Sequence, residues 1–217
     1  FVQHPRNKKL DIAVISYPYM SNYNDFEPLI ADEEVFVEFV SSNISLEKFD
    51  LVILPGSKLV IKDLLWLKET GLFEQIQNYK KDICAICGGY EMMFNFLDDK
   101  YALENEQAVK EQGFGLIDDI IVFEKEKILE KKTYDLFEEK IEGFEIHHGM
   151  CEQYPLSFEK ESFKGTFVHG IFDNNEFRTK YFKSIKNEYM GFDFQEYKKQ
   201  TIDSFISTFK AKLDVNH

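Results

Sequence analysis

Three short runs of this chain are apolar almost end to end: Leu10–Ser16 (LDIAVIS), Asp50–Leu54 (DLVIL) and Asp82–Ile86 (DICAI). A strand with one wet face alternates apolar and polar residues; a strand covered on both faces does not. These runs therefore require a sheet with something packed on each side. Glu34–Val40 is a further strand candidate. Helical patterns fill the gaps. Asn24 with Glu27 resembles a capping box, and Pro28 is tolerated that early in a helix. Ser57 can cap a helix through Ile61, Leu64, Leu65 and Leu67, with Gly71 ending it. Leu72–Tyr79 forms the next helix, and Tyr90–Phe96 looks helical after Gly88-Gly89. The alternation predicts an α/β fold with a mostly parallel central sheet flanked by helices.

The later part of the chain is less regular. Ile117–Phe123 and Ile141–His147 are strand-like, and the charged stretch Glu124–Lys140 between them reads as a solvated hairpin or loop. Lys164–His169 is another short strand. Asp173 with Glu176 is a second capping-box pattern, opening a helix through Phe177, Tyr181 and Ile185. Ile202, Phe205, Phe209 and Leu213 recur at helical spacing, one apolar stripe on a polar rod. Residues 1–9 read as a linker or tail and residues 10–217 as one domain. The opening lacks an initiator Met and an apolar signal core, so the chain is expected to be a piece of something longer.

Charge narrows the partners. With 39 acidic and 26 basic side chains the net charge is −13. Nucleic acid and anionic membrane surfaces are poor partners for such a chain. No apolar run approaches the roughly 20 residues that span a bilayer. Three cysteines are too few for a disulfide scaffold and suit a reducing, cytoplasmic setting.

The chemistry concentrates at Ile83-Cys84-Ala85-Ile86-Cys87-Gly88-Gly89-Tyr90-Glu91. An apolar strand ends at a thiol, two glycines follow, and a helix begins. That is the recipe for a nucleophile elbow, with Cys87 at the bend. A helix start there is expected to lower the thiol pKa. Cys84 lies within the strand and should be a buried bystander. A zinc set of Cys84, Cys87, His147, His148 and Cys151 lacks the usual ligand spacing, so no metal is expected.

A thiol nucleophile needs a base. His4 and His217 lie in terminal segments. His169 closes a strand and precedes Gly170, the sheet edge where open α/β folds place their ligands; a capping histidine would read the same way. His147 ends another strand beside His148. Acyl transfer also needs two N–H donors for an oxyanion. Gly88 can supply one, and the Pro55-Gly56-Ser57 turn, through Gly56, the other.

These residues resemble the triad-type (class I) glutamine amidotransferases, with their flavodoxin-like sheet. Among them the likeness is to the C-terminal amidotransferase domain of cobyric acid synthases in the cobalamin pathway. Ser21-Asn22-Tyr23-Asn24-Asp25-Phe26-Glu27-Pro28-Leu29, Leu54-Pro55-Gly56-Ser57-Lys58, Ile86-Cys87-Gly88-Gly89-Tyr90 and Gly143-Phe144-Glu145-Ile146-His147 carry it. So does Gly165-Thr166-Phe167-Val168-His169-Gly170-Ile171-Phe172-Asp173-Asn174. The resemblance implies that Cys87 attacks the glutamine amide, that His169 serves as base and then acid, and that Gly56 and Gly88 hold the oxyanion. Ser57, Tyr90, Glu91 and His147 become candidate substrate contacts. Ammonia would pass to an N-terminal ATP-dependent synthetase domain that also binds the corrinoid. ATP and Mg are expected on that domain and no cofactor on this chain, which lacks a G-x-x-x-x-G-K-[ST] string.

Two positions depart from the pattern. The wider superfamily orients its histidine with a Glu two residues later; here that position is Ile171. Glu145 and Asp173 are candidates to orient His169 instead. Glu91 stands where the family usually has Gln. A carboxylate there would repel the substrate's α-carboxylate, attract its α-ammonium and raise the Cys87 pKa. Three rival readings remain: an amidotransferase serving a Mur-ligase-like partner in peptidoglycan amidation, a non-catalytic interaction domain of the same fold, and a Cys–His hydrolase acting without glutamine. The Ser21–Leu29 string argues against the first, and glutaminase and esterase assays separate the others. This chain alone is expected to be at most a slow glutaminase; ATP-dependent amidation of a corrinoid by it, followed by mass spectrometry, would overturn that.

Overall fold

The computed structural model describes residues 8–214, with side chains to residue 210. Most of the linker read at residues 1–9 lies outside that range, as do His4, His217 and the Leu213 side chain. β1 (Leu10–Ile15), β2 (Val35–Val40), β3 (Leu51–Leu54), β4 (Asp82–Ile86) and β10 (Phe163–Thr166) form a parallel sheet, with β9 (Ser157–Lys160) antiparallel at one edge. The strand order is β2-β1-β3-β4-β10-β9. The continuous apolar runs occupy β1, β3 and β4, and every residue of β3 is buried. Helices α1 (Glu27–Ala31), α2 (Val60–Thr70), α3 (Leu72–Asn78), α4 (Gly88–Glu91), α5 (Asn175–Ile185) and α6 (Phe194–Asp214) complete the α/β architecture. Gly71 ends α2 in the left-handed region, φ 76°, as a C-terminal glycine does.

A second sheet has the order β6-β5-β7-β8, built from β5 (Phe94–Asp99), β6 (Val109–Gln112), β7 (Ile117–Leu136) and β8 (Glu139–Met150). It corrects the expected helix over Tyr90–Phe96. Helix α4 stops at Glu91 because the carbonyls of Met92, Met93 and Phe94 accept N–H groups from Phe114, Leu116, Ile117 and Gly115. A non-local partner takes the bonds a longer helix would have used. The charged stretch Glu124–Lys140 is a hairpin continuing β7 into β8. It turns at Phe137 and Glu138, both at positive φ, as a two-residue hairpin turn requires.

Neither capping box forms. Tyr23–Phe26 is a single 3-10 turn with no side-chain cap, and it leads straight into α1. Helix α5 starts at Asn175 behind Asn174, whose side chain is bonded to both the N–H and the C=O of Glu142 on β8. On α6 the side chains of Ile202, Phe205 and Phe209 are exposed. Among the described residues no helix is long and apolar enough to cross a membrane.

Packing is close where α4 meets β3. The Gly89 N–H donates to Pro55 O at 3.0 Å, and a Cβ on Gly89 would sit 2.2 Å from Leu54 O. Backbone cannot give way as a flexible side chain can. Gly89→Ala is therefore expected to destabilise the fold by about 3 kcal/mol, read as a lower urea midpoint at unchanged m-value.

Candidate active site

Strand β4 delivers Cys87 to the carboxyl end of the parallel sheet. Its backbone lies at φ 50°, ψ −111°, a conformation that non-glycine residues seldom adopt. Two bonds hold that bend. The Cys87 N–H donates to Thr166 O on the adjacent β10 at 2.8 Å, and the Glu91 N–H donates to Cys87 O at 2.9 Å. Cys84, three residues back, is wholly buried, and burial pushes its thiol up to about 12. The Cys151 thiol lies 3.0 Å from Asp119 Oδ2.

The electrostatics of Cys87 run against the expected helix-start effect. Burial pushes the thiol well up, Glu91 adds to that, and the Gly88 N–H opposes it. Helix α4 has only four residues, so its amide dipoles sum to little. Loss of hydration wins. Burial therefore favours the neutral thiol over the thiolate.

His169 follows β10 and is completely buried. It exchanges two backbone hydrogen bonds with Phe144 of β8, at 2.8 and 3.2 Å, and the Phe144 ring stacks on the imidazole. Its Nδ1 lies 2.6 Å from Asp25 Oδ2. The other Asp25 oxygen accepts the Gly170 N–H at 2.9 Å. Asp25 is 1% exposed, so the imidazole and one amide are its compensation for lost water. A carboxylate on Nδ1 fixes the ring as the Nδ1–H tautomer and leaves Nε2 as the acceptor.

Neither expected orienting group reaches His169. Glu145 pairs with His147 Nε2 at 3.1 Å, and Asp173 pairs with Lys198 at 3.2 Å. The orienting carboxylate is Asp25, 144 residues upstream. It is the first of the two acidic residues in the Ser21–Leu29 string, so the signal was present as a motif but carried no role.

The two glycine turns meet beside these groups. A Cβ on Gly56 would lie 2.9 Å from His169 Cε1, and one on Gly88 would lie 2.7 Å from Ser57 N. Only bare backbone fits at either place. A cavity of about 380 Å³ opens here, with Cys87, Asn22, Ser57, Glu91, Lys127 and His147 in its wall. Ser57 Oγ donates to Asp63 Oδ2 at 2.5 Å and accepts the Leu59 N–H at 3.1 Å. His147 stacks on Phe167 with ring centres 3.8 Å apart, its Nδ1 2.7 Å from Gly149 O. Tyr90 does not line this cavity. Its ring packs edge-on against Phe94 and Phe167, its hydroxyl donates to Tyr154 O at 3.2 Å, and a Gly165 Cβ would overlap it.

Glu91 is 3% exposed. Burial first and Glu104 second push its carboxyl well up, while the Gly149 N–H works the other way. Glu104, also on the cavity wall, is pushed up to about 7, chiefly by burial. Glu91 is thus driven toward its neutral form, which carries a donor and an acceptor like a Gln amide. The repulsion expected of a carboxylate at this position is correspondingly weakened.

Residues 11–177 match the CobB/CobQ-like glutamine amidotransferase domain. The chain is 59% identical over 215 residues to the cobyric acid synthase of Acinetobacter baylyi, covering 99% of this chain and 46% of that protein. It is 34% identical over 239 residues to the cobyric acid synthase of Clostridium tetani, covering 97% and 48%. The chain thus spans about half the length of these curated relatives. A solved glutamine amidotransferase shares the fold with a TM-score of 0.57 at 12% identity, over 80% of this chain and 97% of that one. By its sequence matches, the chain belongs to the CobB/CobQ-like glutamine amidotransferase domain family.

Proposed function

We propose that this chain is the glutaminase half of a cytoplasmic cobyric acid synthase, in which Cys87 and His169 release ammonia from glutamine. The buried Asp25–His169 pair carries the reading, because it presents an imidazole acceptor at the sheet edge where the elbow places a thiol. Cys87 Sγ adds to the side-chain carbonyl carbon of glutamine. Its proton passes to His169 Nε2 and then to the leaving nitrogen, which departs as ammonia. Backbone N–H groups at Gly88 and the Gly56 turn hold the oxyanion. Water then cleaves the thioester, giving glutamate and the free thiol.

A buried thiol that resists ionisation makes the base indispensable. The imidazolium that forms is stabilised by the hydrogen bond from its Nδ1 to Asp25. Ser57, His147 and Glu91 line the cavity and are the candidates to contact glutamine. The ammonia is consumed by an N-terminal synthetase half, where ATP, Mg and the corrinoid bind. The length of the relatives supports that arrangement.

Three variants test the assignment on purified protein with a coupled glutamate assay. Cys87→Ala is expected to abolish glutamate release. Asp25→Asn is expected to lower kcat by roughly 10²–10⁴-fold with KM little changed, because the wrong tautomer is then favoured. Asp173→Asn should leave kcat within about threefold, since that carboxylate faces Lys198. A larger loss from Asp173→Asn than from Asp25→Asn would overturn the assignment of the orienting group.

A further inference from the structure

Both ring nitrogens of His169 are held by one turn of chain. Asp25 takes Nδ1, and the Asn22 side-chain amide lies 3.0 Å from Nε2. A ring with its hydrogen on Nδ1 has a single acceptor, so the Asn22 amide donates its N–H to Nε2. Nε2 is the nitrogen that a thiol proton must reach. The Cys87 thiol meanwhile points to a different acceptor, Ile146 O, at 3.8 Å. The nucleophile and the base are each engaged elsewhere.

The backbone holds this arrangement. Asn22 sits at φ 55°, ψ 51°, the left-handed region that Asn enters more readily than other side-chain-bearing residues. Its carbonyl accepts the Asp25 N–H at 3.0 Å, which closes the turn. The preceding Ser21 N–H donates to Gly56 O at 2.9 Å, which anchors the turn beside the oxyanion glycine. The amide also forms part of the cavity wall, so it has room to turn away.

We propose that Asn22 is a latch on the catalytic base: its amide occupies Nε2 at rest, and Cys87 is activated only when that amide turns away. This deepens the glutaminase reading and rests on it. Asn22 is a positioning residue acting through His169. A lone imidazole acceptor cannot serve two donors, so the resting fraction of competent enzyme is set by how often the amide leaves.

Asn22→Gly tests the latch, because glycine keeps the left-handed backbone and removes the amide. Kinetics on the full chain should show kcat for glutamine rising roughly three- to tenfold, the worth of one neutral hydrogen bond, with KM within about twofold. Alkylation of Cys87 by iodoacetamide, followed by peptide mass spectrometry, should speed up by a similar factor. Asn22→Ala also removes the amide, and the same rise in alkylation is expected if the glycine variant does not fold. Slower or unchanged alkylation in a folded variant overturns the latch and makes Asn22 a structural support for the imidazole. Faster alkylation with no glutamate release from either protein keeps the latch and overturns the choice of glutamine as substrate.

Discussion

A carboxylate and an imidazole, both out of reach of water, are joined at 2.6 Å across 144 residues of chain. Neither group tolerates burial alone. Asp25 needs hydrogen bonds for both oxygens, and it finds them in His169 and the Gly170 N–H. The pair therefore pins the loop after β1 to the chain leaving β10, at the carboxyl edge of the sheet. Phe144 closes the same junction from the second sheet, through two backbone bonds and a stacked ring. Elbow, base and cavity wall keep their relative places because these three segments are locked together.

Cys87 combines backbone strain with desolvation. A non-glycine backbone at positive φ is costly, and the cost is met by parallel pairing of β4 with β10 and by close packing of Gly88 and Gly89. Desolvation favours the protonated thiol. Glu91 works in the same direction on the thiol, and burial raises the pKa of its own carboxyl.

Much of this was legible before any coordinates. Continuous apolar runs identified β1, β3 and β4, because a strand buried on both faces has no polar positions to hide. The Cys-Gly-Gly step marked the elbow, because a sharp strand-to-helix turn has few solutions. What misled was local inference about partners. Tyr90–Phe96 reads as helix, yet β5 begins at Phe94 because Phe114 to Ile117 supply its neighbours. Asp173 reads as an N-cap and as a partner for His169, yet it faces Lys198. Tyr90 sits beside the nucleophile in the chain but is a core side chain, for a residue at a sharp bend does not share a direction with the one three places before it.

The amino-acid sequence by itself determined the α/β class, the place of the elbow and the pool of residues from which a site could be drawn. Those follow from local rules: periodicity, glycine at tight turns, and the cost of leaving apolar runs in water. Only the tertiary structure decided which carboxylate orients His169, which side chain covers Nε2, and that burial outweighs the helix start at Cys87. Each of these depends on distances between segments far apart in the chain. Electrostatic energies in a dry interior change steeply over such distances, and no local pattern encodes them.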